Sequence, residues 1–302
     1  MGLDLVLAGI RLANPVLMAS GTFGYGRELD DLVNVPRLGG LITKAITLKP
    51  RAGNPTPRVT ETAAGMLNAI GLANVGVEAF LAEKLPALAG LSVPVIVNVA
   101  GSAVEEYVAV IERLESAPGI AAYELNISCP NVKHGGIAFG ADPCQVEKVV
   151  GAARKAAKRP LIVKLSPNVS DITVTAKAAE AAGADALSLI NTLIGMAVDV
   201  KRRKPVLANI TGGLSGPAIK PVGLAMVYKT AAAVQIPLIG IGGIVSATDV
   251  LEYLMVGARA VQIGTGTFVD PSGAARIVDE LEAWRVAQKL DNLQEIVGAC
   301  QR

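Results

Sequence analysis

Two lysines, a cysteine and a set of amides stand where short apolar runs end in this 302-residue chain. Ser20, Lys44, Asn98, Asn126, Lys164 and Asn191 each close or follow a run rich in Val, Ile and Leu. One such residue often does no more than satisfy a turn; six at the ends of different runs point to a shared ligand. Lysine is almost never fully buried unless paired, so Lys44 and Lys164 read either as halves of buried ion pairs or as cations facing an anion. No carboxylate stands beside them at the run ends, which favours the anion. The stretch Asn126-Ile-Ser-Cys-Pro-Asn131 adds a thiol, Cys129, and a thiol near positive charge ionises to a base or nucleophile. Val132–Asp142 follows with Gly135, Gly136 and Gly140, the composition of a lid. His134, the only histidine, lies next to Lys133 on this glycine-rich loop and reads as solvent-exposed rather than as a general base. Cys144 and Cys300 lie in or near helical patterns and read as buried structural thiols. Gly240-Ile-Gly-Gly243 and Gly264-Thr-Gly-Thr267 each follow an apolar run. Bare backbone N–H groups in such loops hold phosphate, although glycine also simply permits tight turns.

The elements that must position these groups alternate in type. Candidate strands are Val16–Ala19, Leu41–Ala45, Val95–Val99, Tyr123–Ile127, Leu161–Leu165, Ala186–Ile190, Leu238–Ile241 and Ala260–Ile263. Their unbroken apolar character predicts burial on both faces, as in a parallel sheet covered by helices. Helical patterns fall between them at Val77–Ala89, Val104–Ser116, Pro143–Ala157, Asp171–Ala182, Pro217–Val234, Ala247–Val256 and Gly273–Gln288. Ser170-Asp171 and Ser246 to Asp249 supply N-caps, and Gly183 and Gly257 supply stops. Eight strands alternating with helices predict an α/β fold of the (β/α)8 TIM-barrel type, one domain over residues 1–302. Polar groups at the C-terminal strand ends would then share its catalytic face. An open dinucleotide-binding sheet is disfavoured because no G-x-G-x-x-G turn is present. Leu3–Leu12, turning at Ala8-Gly9, predicts an N-terminal hairpin plugging the barrel bottom. Lys49–Asn74 and Val198–Gly216 are inserted βα loops, expected on the catalytic face with structure of their own.

Composition narrows the class. Hydrophobic residues make up 51% and charged residues 18%, which excludes a disordered chain. Aromatics are only 3% while glycines number 32, so the core must be aliphatic and closely packed. A net charge of +2 from interspersed residues is no footprint for nucleic acid. Three scattered cysteines build neither a disulfide framework nor a metal cage. Met1–Asn14 lacks a basic start before an apolar stretch, and the charge-free run Thr230–Thr248 is broken by Gln235, Pro237 and glycines. These features predict a soluble, cytoplasmic protein.

Asn68-Ala-Ile-Gly-Leu72, Asn126-Ile-Ser-Cys-Pro-Asn131, Val163-Lys-Leu-Ser-Pro167, Asn191-Thr192, Gly212-Gly-Leu-Ser-Gly216 and Gly242-Gly243 together resemble the dihydroorotate dehydrogenases over nearly the whole chain. Cysteine in the Ser-Cys-Pro-Asn context is similar to class 1. Gly53-Asn-Pro-Thr-Pro-Arg58 and Met66–Leu72 are similar to class 1B catalytic subunits. The resemblance implies oxidation of (S)-dihydroorotate to orotate in pyrimidine biosynthesis, with Cys129 as the base at C5 and the C6 hydride passing to FMN. It implies one FMN per chain, touching Ser20, Lys44, Ala45, Asn98, Asn126, Lys164, Ile190, Gly216, Gly242, Gly243, Gly264 and Thr265. The pyrimidine would be held by Lys44, Asn68, Ala69, Ile70, Gly71, Leu72, Asn126, Asn191 and Thr192. Ala45 stands where glycine is common in the family, a change that a backbone contact survives. FAD and a [2Fe–2S] cluster are implied only on an electron-transfer subunit, which passes electrons to NAD in a heterotetramer built on a catalytic homodimer. Three other readings stay open: a fumarate-linked class 1A enzyme, a dihydropyrimidine dehydrogenase-like flavoprotein, and a phosphosugar lyase or isomerase using the same phosphate loops.

Overall fold

The computed structural model describes residues 2–28, 32–128 and 137–301. Eight parallel strands close into a barrel in chain order: Val16–Met18, Gly40–Ile42, Val95–Val99, Ala122–Asn126, Leu161–Lys164, Ala186–Leu189, Leu238–Ile241 and Ala258–Ile263. They match the expected runs closely, because burial on both faces keeps the runs mainly apolar. The helices Val104–Glu115, Pro143–Ala156, Ile172–Ala181, Lys220–Ala231, Ala247–Met255 and Gly273–Ala287 surround them. Asp171 caps its helix by accepting from the Thr173 amide, and Ser246 forms a capping box with Asp249. Gly183 and Gly257 follow their helices at φ +99° and +114°, a region that suits glycine. The expected helix over Val77–Ala89 is instead two short α segments joined by a π turn at Phe80–Lys84. Pro86 has no N–H to donate back and its ring crowds the preceding turn, which widens it.

The N-terminal hairpin is present, pairing Leu5 with Leu12 and Leu7 with Ile10. Ala8 and Gly9, at φ 48° and 83°, make the left-handed pair that a two-residue hairpin turn needs. Leu5, Leu7, Ile10 and Leu12 pack against Leu17, Ile42, Ile96, Ala122, Ile162, Ala186, Ile239 and Ala260, one residue from each barrel strand. This dry layer seals the N-terminal end. A larger apolar cluster fills the space between the barrel wall and its helices.

At the opposite end the two insertions form one element. Leu193–Met196, Thr211–Ser215, Gly65–Asn68 and Val59–Thr62 lie side by side as an antiparallel sheet. The second insertion therefore begins at Leu193, earlier than the expected Val198. The two backbones meet closely: a Cβ on Gly65 would sit 1.9 Å from the Ser215 carbonyl oxygen. Only glycine permits that approach.

Candidate active site

Side chains along a strand alternate in direction, so the residues two places beyond the apolar floor also face inward. In five strands these are Asn98, Glu124, Lys164, Ser188 and Gln262, all buried. A barrel layer is ordinarily filled by branched apolar residues; a polar one must be hydrogen-bonded to be tolerated. Here it is. Glu124 Oε1 accepts from Asn98 Nδ2 at 2.7 Å and lies 3.9 Å from Lys164 Nζ. Its Oε2 accepts from Ser188 Oγ at 2.8 Å and Gln262 Nε2 at 2.6 Å. The expectation that no carboxylate stands near the strand-end lysines is thus corrected for Lys164, which pairs with Glu124. The acid sits inside a strand between Tyr123 and Leu125, and only the two-residue alternation from Ala122 reveals that it faces inward.

Above this layer a cavity of about 300 Å³ opens toward the inserted sheet, a volume within the range of small-molecule sites. Ser20, Lys44, Ala45, Asn126, Lys164 and Ile190 line it from the barrel. Gly216, Gly242, Gly243, Gly264 and Thr265 line it from the later loops, and Asn68, Ile70, Gly71, Leu72, Asn191 and Thr192 from the inserted segments. Two expected site residues are not among its lining. Asn98 lies below, between Glu124 and the Asn126 amide, whose Nδ2 is 3.4 Å from Asn98 Oδ1. Ala69 is buried with Leu67 and Leu207 under the sheet. Cys129, like Lys133, His134 and the first part of the expected lid, falls outside the described residues. Cys144 and Cys300 are exposed, correcting the expectation of buried thiols; Cys144 lies in the first turn of its helix, where its amide donates to Asp142.

Sequence reasoning assigned no role to Arg58, Met66, Gln262 or Phe268, yet all four line the cavity. Arg58 brings positive charge near Lys44, and its Nη1 is anchored on the Ala52 and Asn54 carbonyls. Burial, reinforced by the Arg58 charge and partly offset by Glu28, holds the Lys44 ammonium below the ordinary lysine pKa. The remaining amides form a chain: Ser128 Oγ is 3.4 Å from Asn126 Oδ1 and accepts from Asn191 Nδ2 at 2.9 Å. Asn168 fixes the next turn, donating to the Thr192 carbonyl and accepting from the Ile194 amide. Cations and amides thus converge on one cavity, with backbone loops rich in glycine opposite.

Fold and cavity together define a (β/α)8-barrel enzyme whose site lies at the C-terminal ends of the strands. A sequence model of the family described as dihydroorotate dehydrogenase matches residues 3–284. The chain belongs to the dihydroorotate dehydrogenase family, and so to the oxidoreductases. It is 60% identical to the "Dihydroorotate dehydrogenase B (NAD(+)), catalytic subunit" of Pelobacter propionicus, over 98% of this chain and 97% of that protein. The Geobacter metallireducens protein of the same name is 56% identical over 99% and 98%. The fold is similar to a crystal structure of DHODH in complex with ferulenol from Eimeria tenella, with a TM-score of 0.85 at 22% identity, covering 100% of this chain and 89% of that one. Among the described residues no helix is long and apolar enough to cross a membrane.

Proposed function

We propose that this chain is the FMN-binding catalytic barrel of an NAD-linked dihydroorotate dehydrogenase, acting in the cytoplasm on (S)-dihydroorotate. The observation that carries the reading is the convergence, on one cavity, of Lys44 and Lys164, both glycine loops and the Asn68–Leu72 and Asn191-Thr192 segments. The donor set suits FMN. Gly242 and Gly243 have φ of +125° and +69°, and a Cβ on Gly243 would lie 2.7 Å from Lys220 Cβ and 2.9 Å from the Gly216 carbonyl oxygen. Backbone alone therefore faces a ligand there, as a phosphate site requires. When bound, FMN supplies the acceptor for the hydride leaving C6 of the substrate.

The protein's own groups do the rest. Lys164 offers fixed positive charge to an electron-rich ring edge, where a preorganised charge costs no rearrangement. Asn68, Asn126 and Asn191 carry amides that both donate and accept, matching the alternating N–H and C=O edge of a pyrimidine. Lys44 faces the substrate carboxylate, and Cys129 takes the C5 proton. The electrons leave for NAD through a second subunit carrying FAD and [2Fe–2S], in a heterotetramer built on a dimer of this chain. The relatives' name, a catalytic subunit linked to NAD(+), supports that route over fumarate. Adding dihydroorotate anaerobically to the FMN-loaded chain tests the core of the reading: the flavin absorbance bleaches, whereas an unchanged spectrum overturns it.

A further inference from the structure

The buried carboxylate of Glu124 has no part in the chemistry described so far, and it does not line the cavity. An inward-facing acid in a barrel is costly unless fully satisfied, and this one takes three neutral donors and one cation. Asn98 and Gln262 both turn their amide nitrogens toward it, the arrangement that an acceptor-only carboxylate demands. Two of its partners, Lys164 and Gln262, do line the cavity. Because Gln262 Nε2 is committed to Glu124, its Oε1 is left buried with no hydrogen-bond partner among the described residues. The layer beneath the ligand thus presents a cation and a spare acceptor, both oriented by one acid. That pair suits a ring edge on which an anionic N–C=O stands beside an N–H, as on the pyrimidine part of a reduced isoalloxazine.

We propose that Glu124 is a positioning residue: it holds Lys164 and Gln262 toward the flavin and, as counter-ion of Lys164, limits how strongly that lysine favours the reduced cofactor. This rests on the FMN reading above. Lys164 and Glu124 should then act on the flavin with opposite signs. Lys164→Ala removes positive charge and moves the midpoint potential down. Glu124→Gln removes the opposing negative charge and moves it up. Gln262 meets the new amide by reversing its own, which withdraws its Oε1 from the flavin, so Glu124→Gln is read beside Ser188→Ala, which leaves Gln262 in place.

The test is spectroelectrochemical titration of the FMN-loaded chain and its variants, after FMN content is measured on each. The expected result for Glu124→Gln is about a tenfold gain in the reduction equilibrium constant, which is about 30 mV for a two-electron couple. Glu124→Asp, which keeps the charge, should stay closer to the wild-type value. Ser188→Ala removes a donor that partly neutralises Glu124 and touches no ligand; it leaves the carboxylate charge less compensated, gives a smaller fall, and serves if Glu124→Gln does not fold. A site that is merely loosened would lose FMN without gaining potential. A potential that is unchanged or lower in FMN-loaded Glu124→Gln, or one that is unchanged or higher in FMN-loaded Ser188→Ala, overturns the role of Glu124 alone. A wild-type chain that takes up no FMN overturns the cofactor reading and this inference with it.

Discussion

Asn191 Nδ2 donates to Ser128 Oγ across 2.9 Å, tying the loop after the sixth barrel strand to the residue that precedes Cys129. Ser128 is fully buried and also contacts the Asn126 amide, so the chain enters the cysteine segment from a fixed point. Ser128, the residue just ahead of the proposed base, and the proposed pyrimidine contacts Asn126 and Asn191 therefore share one hydrogen-bonded support.

From that support follows the first prediction. Cys129→Ala should retain FMN and fold but slow flavin reduction by dihydroorotate by about 10²–10⁴-fold, the usual worth of a general base. Cys129→Ser should keep slight activity that climbs with pH, because a hydroxyl is the weaker base. Stopped-flow reduction at the wild-type rate in Cys129→Ala would show that the proton goes elsewhere.

The glycine loops separate two effects that one substitution would confuse. Gly243→Val should lower the melting temperature of the FMN-free protein, since its φ of +69° and its contact with Lys220 strain any side chain; the cost is about 1–3 kcal/mol. At Gly264 a Cβ would meet Ala19 Cβ at 3.5 Å and the Thr22 side chain at 3.7 Å, ordinary contacts with no backbone clash. Gly264→Val should leave that melting temperature nearly unchanged and weaken FMN binding at least about tenfold, because the added methyls enter the cavity. Calorimetry paired with fluorescence titration of FMN distinguishes the two, and tight FMN binding by Gly264→Val would remove that loop from the site.

Lys44 gives a pH dependence with a definite sign. Its pKa is depressed by burial and by Arg58, so its ammonium is lost at lower pH than that of an ordinary lysine, near 10.4. Orotate affinity should be level near neutrality and fall as pH rises through this depressed value. Lys44→Arg stays charged and should postpone the fall, a comparison in which orotate's own ionisation cancels. Superimposable pH profiles for the two proteins would remove Lys44 from the carboxylate site.

Electron delivery can be tested on the isolated chain. It carries three cysteines, too few for the four ligands of an ordinary [2Fe–2S] cluster, and no dinucleotide fingerprint. With dihydroorotate as donor it should reduce artificial acceptors but neither NAD⁺ nor fumarate efficiently. Rapid fumarate reduction would move it to the partner-free mode, and rapid NAD⁺ reduction would dispense with a second subunit.

The barrel was legible because its signal is local. Runs such as Leu238–Ile241 are apolar throughout, and the caps Asp171 and Ser246 announce the helices that follow. Most of the cavity lining was legible too, through polar residues at strand ends and the family motifs. What escaped is non-local. Ile194 and Gly213 pair within one sheet, but nothing near Thr211–Ser215 in sequence shows that Gly65–Asn68 will be its other neighbour. Asn98 looked like a strand-end ligand group because sequence position does not reveal that its nitrogen is already taken by Glu124. Arg58 reads as an ordinary loop cation until the fold turns it toward Lys44.

The sheet over the cavity has a kinetic meaning. Ser215 Oγ reaches the Met66 carbonyl across 149 residues of chain, and loops of that length close at an entropic cost repaid only when their far contacts form. Contacts so distant in sequence slow folding, and the barrel closes over a longer span still, pairing Val16 with Val261, so wall and binding site should both be completed late. Nascent or partly denatured chains that lack either closure would then capture no ligand. Conversely, a ligand that touches both insertions binds only the completed state and raises its apparent stability by mass action. Ligand supply would thereby govern how long each finished molecule keeps its mouth closed against proteolysis.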